Sequence, residues 1–313
     1  MKGLDICKSF YLEHGAPMLK NTFPEIEDLI AVGLVGSGSE CLGFDDETSH
    51  DHDLEAGFCL FLPDEDVIDR RTAFLLERAY AKLPREYMGL TRNALAPVGG
   101  NRRGVIRIAD FLEEHLGVRN GTLSTRDWFT LSEQSLLEVT NGALFRDDCG
   151  YFTCIRSNLA YLPKDVRLKK LAGELLRMGQ AGQYNYPRCV SRKDTAAAQL
   201  SVVEFVQSAI HAIFLLNQTY MPYYKWQFCA LKRLPMLSEL AGDLENLISV
   251  GNTEADAVHK QDTVERICLA VADTLRQQDL TDYCGNEAEG HAYSVNHHIS
   301  DPEIRNLHIL YAV

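Results

Sequence analysis

The sequence has few of the residues that interrupt regular structure. Only 10 prolines and 22 glycines occur among 313 residues, and 46% of the residues are hydrophobic. This composition excludes an intrinsically disordered or fibrous chain and is typical of a globular protein. Because a single hydrophobic core usually stops growing at this length, we expect two domains.

Positive charge is also scarce. The 31 lysines and arginines stand against 44 aspartates and glutamates, which gives a formal net charge of -13. A protein that grips nucleic acid through its phosphates needs a basic surface, so the charge argues against nucleic acid as a partner.

Long apolar stretches are missing as well. Residues 1–15 lack the apolar core of a signal peptide. The most apolar stretch, Val202–Leu216, contains Glu204, Gln207 and His211, and we expect it to be too short and too polar to span a bilayer. The sequence therefore predicts a protein with no membrane association.

Three common catalytic or metal-binding patterns are absent. None of the nine cysteines has the CxxC spacing typical of zinc and redox sites, and Cys59 and Cys229 stand in apolar segments. We therefore expect buried thiols in a reducing, cytoplasmic environment. The chain contains neither the P-loop pattern GxxxxGKS/T nor the GxSxG turn of serine hydrolases.

Helices and short strands mix in the first half of the chain, and helical patterns alone follow after about residue 160. The patterns predict helices over 3–20, 64–82 and 125–141, and strands over 29–35, 54–62 and 105–110. We therefore predict an α+β fold. A mixed-sheet domain with flanking helices, residues 1–155, would precede an all-α domain, residues 156–313.

The segment from Gly36 to Asp53 holds the residues best suited to chemistry. Its first end, Gly36-Ser-Gly-Ser39, closes the first predicted strand, and the amides and hydroxyls of such a turn can hold a phosphate. Its second end, Asp51-x-Asp53, enters the next strand, where residues two apart lie on one face, roughly 6–7 Å apart. Two such carboxylates can share divalent cations such as Mg²⁺.

Each end has an ordinary alternative, since glycine-serine turns and acidic loops are common. Together they predict a two-metal site for phosphoryl or nucleotidyl transfer. In that chemistry one cation activates the attacking hydroxyl, and the other neutralises the leaving pyrophosphate.

The two ends together resemble the signature of the DNA polymerase beta-like nucleotidyltransferase superfamily, and most closely its kanamycin and lincosamide branch. The stretch GLVGSGSECLGFDDETSHDHD, residues 33–53, also resembles the domain-of-unknown-function family 4037. The closer resemblance covers residues 29–62, and a looser one covers Leu216–Trp226 in the helical half. The resemblance implies a nucleotidyltransferase-type first domain whose cleft is closed by the helical domain.

The resemblance also implies roles for single residues. Gly36, Ser37 and Ser39 would hold the nucleotide triphosphate. Asp51 and Asp53 would bind two Mg²⁺ ions and carry the catalysis.

Two further assignments come from the resemblance and have plain alternatives. Family members often take a third catalytic, metal-binding carboxylate from a later strand, and Asp110 is the best-placed candidate. Equally, Asp110 could cap a helix that begins at Phe111. Lys225 would contact a phosphate of the nucleotide, or lie in solvent at the start of an amphipathic helix. His52 stands where the signature has a hydrophobic residue, and we expect it to point away from the metals.

These features predict an enzyme, a Mg²⁺-dependent nucleotidyltransferase. It would transfer a nucleoside monophosphate, AMP from ATP, to a hydroxyl of a small-molecule acceptor and release pyrophosphate. The acidic charge mildly favours a cationic acceptor, and a protein acceptor is the other choice. Two alternatives stay open: a catalytically silent nucleotide-binding or partner-binding protein, and a toxin–antitoxin component that adenylylates its partner.

Two other polar groups are expected at the surface. The first is the set of histidines that crowd the C-terminal region, His291, His297, His298 and His308. The second is the acidic run 45–47, which is typical of a solvated loop.

Overall fold

The computed structural model describes residues 2–46, 55–92 and 103–313. The chain forms two compact units: Met1–Leu123 with Leu131–Ala160, and Ser124–Thr130 with Tyr161–Val313. The first unit combines helices with a small mixed sheet, and the second is built from helices. The fold is therefore α+β. The first unit ends at Ala160, and the segment 124–130 belongs to the second unit.

The described chain contains short strands and many helices. The strands are β1 (Ala31–Leu34), β2 (Cys59–Leu62), β3 (Glu86–Tyr87), β4 (Leu90–Thr91), β5 (Gly104–Arg107) and β6 (Ala143–Arg146). The helices are α1 (Gly3–Phe10), α2 (Ala16–Thr22), α3 (Ser39–Leu42), α4 (Arg70–Ala81), α5 (Ile108–Leu116), α6 (Thr125–Thr130), α7 (Glu133–Thr140), α8 (Tyr151–Asn158), α9 (Lys164–Met178), α10 (Tyr186–Ser191), α11 (Thr195–Leu216), α12 (Tyr224–Leu231), α13 (Ala241–Ser249), α14 (Glu254–Gln277), α15 (Ala288–His297) and α16 (Pro302–Arg305).

A four-stranded sheet in the order β5-β2-β1-β6 forms the centre of the first unit. β1 is antiparallel to β2 and β6, whereas β5 is parallel to β2. On one face, Leu60 belongs to a cluster with side chains of α1, α2 and α4. On the other face, Phe61 packs against Phe111 of α5 and Phe152 of α8. Because both faces are covered, β2 is an uninterrupted apolar segment without alternation.

The structure changes several predicted boundaries. The strands predicted over 29–35, 54–62 and 105–110 correspond to the shorter β1, β2 and β5. The single helix predicted over 125–141 is wrong. Two helices form instead, because Ser132 caps α7 by accepting a hydrogen bond from the Ser135 N–H.

α1 and α2 are joined by a π-helical turn, Tyr11–Gly15, just before Pro17. β6 and the hairpin of β3 and β4 were not predicted.

In the second unit α9 packs against both α11 and α15, and most of its residues are buried. One of them, Lys169, is fully buried, and burial lowers its pKa. Its ammonium donates hydrogen bonds to Asn296 Oδ1 at 2.8 Å, Arg305 O at 3.1 Å and Leu307 O at 2.6 Å. These bonds tie the C-terminal segment to α9 and satisfy the buried charge with oxygen atoms.

α11 differs in length from what was expected of this stretch. The helix begins at Thr195 and has 22 residues, so the expectation that it is too short to span a bilayer is wrong. Within the described residues it is the one helix long and apolar enough to cross a membrane, by length and composition only. Of its apolar window, 61% is buried inside the fold, as in the core helix of a soluble protein.

The expected burial of the cysteines and the expected exposure of the histidines and of residues 45–47 were partly wrong. All nine cysteines are free thiols, but only Cys7, Cys41, Cys59 and Cys268 are buried, and Cys229 is half-buried. His291 is 1% exposed, since it packs inside the second unit.

Asp45 is not part of a solvated loop, since it is only 4% exposed. It accepts a hydrogen bond from the Gly3 N–H at 2.8 Å and so caps the start of α1.

Candidate functional site

The turn after β1 has a backbone that favours glycine. Gly36 and Gly38 have φ angles of 109° and 138°, which side-chain-bearing residues rarely adopt. A Cβ placed on Gly36 would have no described neighbour within 4 Å, so this side of the turn is open. α3 begins at Ser39, where the first N–H groups of a helix have no intrahelical partner. The turn is therefore suited to a ligand that approaches the backbone.

The side chain of Asn141 holds this turn in place. Its Oδ1 accepts a hydrogen bond from the Gly36 N–H at 3.0 Å, and its Nδ2 donates to the Gly36 carbonyl at 2.8 Å. Asn141 directly precedes Gly142 and β6, the strand that pairs with β1. The amide side chain thus continues the pairing between the two strands beyond their ends.

Asn141 is itself fixed by Arg156 of α8. Arg156 donates from Nε to Val139 O at 3.0 Å and from Nη2 to Thr140 O at 2.8 Å, and Nη2 also bonds to Asn141 O. The guanidinium therefore satisfies three carbonyls at the end of α7. Burial lowers the pKa of Arg156, but an arginine retains its charge at neutral pH.

The sheet brings the turn to a particular edge. Gly33 of β1 pairs with Cys59 of β2, and Cys59 pairs with Gly104 of β5. Because β1 runs opposite to β2 and β5, the end of β1 and the starts of β2 and β5 share one edge. We call it the turn edge, which carries Gly36–Ser39 and the described segment that begins at Glu55. Asp51 and Asp53 lie outside the described residues, shortly before Glu55 in the sequence.

A buried ion network lies at the turn edge. Arg103, which precedes β5, binds Glu40 Oε1 of α3 through Nη2 at 3.1 Å and Glu55 Oε1 through Nη1 at 3.0 Å. The side chains of Arg103 and Glu40 are 7% and 3% exposed, and that of Glu55 is 25% exposed. Burial opposes the charge of Arg103, yet its pKa lies above the usual value because Cys7, Glu40 and Glu55 surround it. Arg103 therefore links the start of α3 to the segment that enters β2.

Cys7 borders this network without being a candidate nucleophile. Its Sγ lies 3.6 Å from Glu55 O, and burial raises the pKa of the thiol despite the nearby Arg103. A buried thiol with a raised pKa is inert.

Asp110 lies in a different place from the turn. It follows the carboxyl end of β5, where Arg107 pairs with Leu62 at the edge opposite the turn edge. The structure therefore does not bring Asp110 to Gly36. Its side chain is 58% exposed and pairs with Arg119 at 2.8 Å. The alternative that Asp110 caps a helix beginning at Phe111 is wrong, because α5 begins at Ile108.

Of the other predicted residues, Ser37 is exposed and Ser39 is partly buried, both next to Gly36. Lys225 belongs to the second unit, at the second position of α12. It is exposed, and its ammonium lies 5.0 Å from the centre of the Trp226 ring.

Within residues 2–46, 55–92 and 103–313, no three His, Cys, Asp or Glu side chains are grouped as a metal site requires. Among the described residues at the turn edge, the carboxylates of Glu40 and Glu55 are both paired with Arg103. The metal-binding assignment of Asp51 and Asp53 concerns residues outside this set.

Sequence reasoning missed Asn141 and Arg103. Asn141-Gly142 is a turn signal, which suggests a loop but no contact with a particular glycine. Arg103 stands in the cluster Gly99–Gly104, where its charge suggests exposure rather than burial.

A family model described as Domain of unknown function (DUF4037) matches residues 128–227, about a third of the chain. The similarity to this family is confirmed, but on a different part of the chain from residues 33–53, where we expected it. The matched segment contains Asn141 and Arg156, the two side chains that support the turn. No curated protein and no solved structure matches the chain.

Proposed function

We propose that the protein is a Mg²⁺-dependent nucleotidyltransferase with a nucleotidyltransferase-type first domain. It would transfer AMP from ATP to a hydroxyl of a small acceptor and release pyrophosphate. The observation that carries the proposal is the open turn after β1, which Asn141 holds at the turn edge. In the sequence, Asp51-x-Asp53 comes just before the segment that enters β2 at the same edge. Phosphate-binding and metal-binding groups would then meet at one edge of the sheet.

The residues of the turn would contribute to nucleotide binding in different ways. The N–H of Gly36 already donates to Asn141, so Gly36 would contribute its open backbone conformation rather than a donor. Ser37, Ser39 and the first amides of α3 would donate to the triphosphate. The protein would thereby orient the α-phosphorus toward the acceptor hydroxyl.

The ion network narrows the choice of metal ligands. Glu40 and Glu55 are committed to Arg103, and Asp110 lies at the opposite edge of the sheet. The assignment of Mg²⁺ therefore rests on Asp51 and Asp53, whose oxygen donors suit this ion. When bound, Mg²⁺ would stabilise the charge that develops on the pyrophosphate.

One observation favours a second candidate, a nucleotide-binding protein without turnover. In the described part of the turn edge, the two glutamates that could complete a metal site are paired with Arg103. If no other described or undescribed residue replaces these two glutamates, the protein would bind a nucleotide and fail to activate an acceptor.

The test is a calorimetric titration of each NTP with Mg²⁺ into the wild-type protein and into Asp51→Asn/Asp53→Asn. The matched control is Asp64→Asn/Asp66→Asn, which removes the same charges at the same spacing from exposed positions beyond β2. We expect Mg²⁺-dependent binding of one NTP that the first variant weakens and the control retains. Absence of NTP binding to folded protein would rule out both candidates.

Pyrophosphate release then separates the two candidates. With a panel of cationic and neutral hydroxyl compounds, turnover that Asp51→Asn/Asp53→Asn abolishes supports the transferase. Tight NTP binding without release of pyrophosphate from the NTP, whichever acceptor is added, favours the silent protein.

A further inference from the structure

A groove separate from the turn edge lies between α2 and the last two turns of α4. Its volume is about 500 Å³, within the range of about 300–1,000 Å³ that is usual for small-molecule sites. Met18 and Phe23 line one side of it, and Leu75 and Ala79 line the other. The opposite face of α4 carries residues such as Tyr80, which is buried in the core.

The groove exposes apolar surface that the fold itself does not cover. Leu75 is 47% exposed, and its neighbour Phe74 is 54% exposed. Phe23, at 8% exposure, joins the groove to the core of the first unit. A ligand with an apolar body would cover this surface and remove it from water.

Two cations also line the groove. Arg78 lies in the last turn of α4, and Lys82 directly follows its last residue with a helical backbone, so the two side chains four residues apart lie on the same face. Neither forms an ion pair within the part of the chain that the structure describes, and Arg78 lies 5.9 Å from the centre of the Phe74 ring. In a chain with a net charge of -13, two such cations beside an apolar groove favour an anionic ligand.

Another residue, Arg92, already bonds to the carbonyl groups at the end of α4. Basic side chains near the end of a helix often bond to its last carbonyls. At the end of α4 this is done by Arg92, which donates to Tyr80 O at 3.4 Å and to Leu83 O and Pro84 O at 3.1 Å each. The side chains of Arg78 and Lys82 are therefore not needed to cap the helix.

We propose that this groove binds a small amphiphilic anion, an unbranched apolar chain with a carboxylate or phosphate head group. The head group would pair with Arg78 and Lys82, and the chain would lie on Met18, Phe23 and Leu75. The α4 side of the groove, from Leu75 to Leu83, is about 12 Å long, comparable with a chain of about ten carbons. Its eight lining residues are far fewer than the roughly 20–30 per side of a stable protein interface.

The test is a calorimetric titration of the full chain with decanoate below its micelle concentration, compared with decanol, which has the same tail without the charge. We expect saturable 1:1 binding of decanoate and several-fold weaker binding of decanol. Arg78→Ala/Lys82→Ala should weaken decanoate binding roughly five- to tenfold, as expected for two exposed ion pairs, and leave decanol unchanged. Arg71→Ala/Arg85→Ala removes the same charge from exposed positions outside the groove and should change neither.

A second variant tests the location of the tail. Ala79→Phe places a ring in the groove and should abolish binding of both ligands while the circular dichroism spectrum stays that of the wild type. The proposal is overturned if decanoate does not saturate, or if the two double variants weaken it equally. It is also overturned if Ala79→Phe still binds decanoate. None of these outcomes depends on nucleotide binding.

Discussion

The side-chain amide of Asn141 forms two hydrogen bonds with the backbone of Gly36, a residue 105 positions earlier in the chain. It accepts from the Gly36 N–H and donates to the Gly36 carbonyl, as a neighbouring strand would. The turn after β1 is thereby held by a residue that lies two positions before β6. The segment similar to DUF4037 thus contributes directly to the proposed nucleotide site.

Replacing Asn141 should damage the turn more than the fold. Asn141→Ala leaves a buried N–H and carbonyl of Gly36 unpaired, at a cost of about 1–3 kcal/mol in the free energy of unfolding. Because the turn would no longer be held, we expect roughly tenfold weaker binding of the NTP. Urea unfolding and calorimetry measure the two effects. Asn158→Ala, at an exposed asparagine, is the control, and unchanged NTP affinity in Asn141→Ala would contradict the proposed role.

Replacing Arg103 should destabilise the protein strongly. Arg103→Met breaks the ion pair that Arg103 forms with the buried Glu40, which costs about 3–5 kcal/mol. Adding Glu40→Gln should recover part of that loss, because a neutral amide is less costly to bury than a carboxylate that has lost its ion pair with Arg103. Urea unfolding tests this against Arg119→Met, which breaks exposed pairs with Asp110 and Glu113 and should cost at most about 1 kcal/mol. Equal losses in the two variants would contradict the assignment.

Asp110→Asn should leave Mg²⁺-dependent NTP binding unchanged. Asp110 is exposed and lies at the edge of the sheet opposite the turn. Calorimetric titration of this variant and of Asp51→Asn distinguishes two alternatives. Either Asp110 is remote from the metal site, or it is the third metal-binding carboxylate. Loss of Mg²⁺-dependent binding in Asp110→Asn would restore Asp110 to the site.

His291 should make the protein less stable in mild acid. Its Nε2 lies 2.9 Å from Gly285 O and its Nδ1 lies 3.0 Å from Thr281 Oγ1, an arrangement that suits the neutral ring. Burial, together with the nearby Arg276, lowers the pKa of His291 below its usual value of 6.5, despite the opposing effects of Gly285, Glu287 and Asp273. The unfolded chain then binds a proton that the folded chain does not. Stability is therefore full above pH 6.5 and is lost as the pH falls toward the lower pKa of the folded state.

The measurement is the urea midpoint of unfolding between pH 5 and pH 8. His291→Gln should be less stable at neutral pH but should show a smaller loss on acidification than the wild type. His298→Gln, at a partly exposed histidine paired with Asp282, should retain the wild-type loss. If the urea midpoint of His291→Gln falls on acidification as much as that of the wild type, groups other than His291 cause the loss of stability.

Local patterns were sufficient for the class of the fold. The apolar segments 29–35 and 54–62 contain β1 and β2, and the helical spacing after residue 160 becomes α9 and the helices that follow it. These elements depend on periodicity and on glycine and proline positions, which are properties of neighbouring residues. β6 could not be found in the same way. Ala143–Arg146 is a half-buried stretch of four residues that becomes a strand because β1 offers a partner.

The sequence alone determined that the protein is α+β, acidic and cysteine-containing without zinc-type spacing, and that Gly36–Ser39 is a turn after a buried strand. Only the tertiary structure decided that Asn141 holds that turn and that Arg103 forms ion pairs with Glu40 and Glu55. It also decided that Asp110 lies at the edge of the sheet opposite the turn. The physical reason is sequence separation. A turn or a helix is set by contacts within a few residues, whereas a buried ion pair or a strand edge depends on segments that meet only when the chain folds.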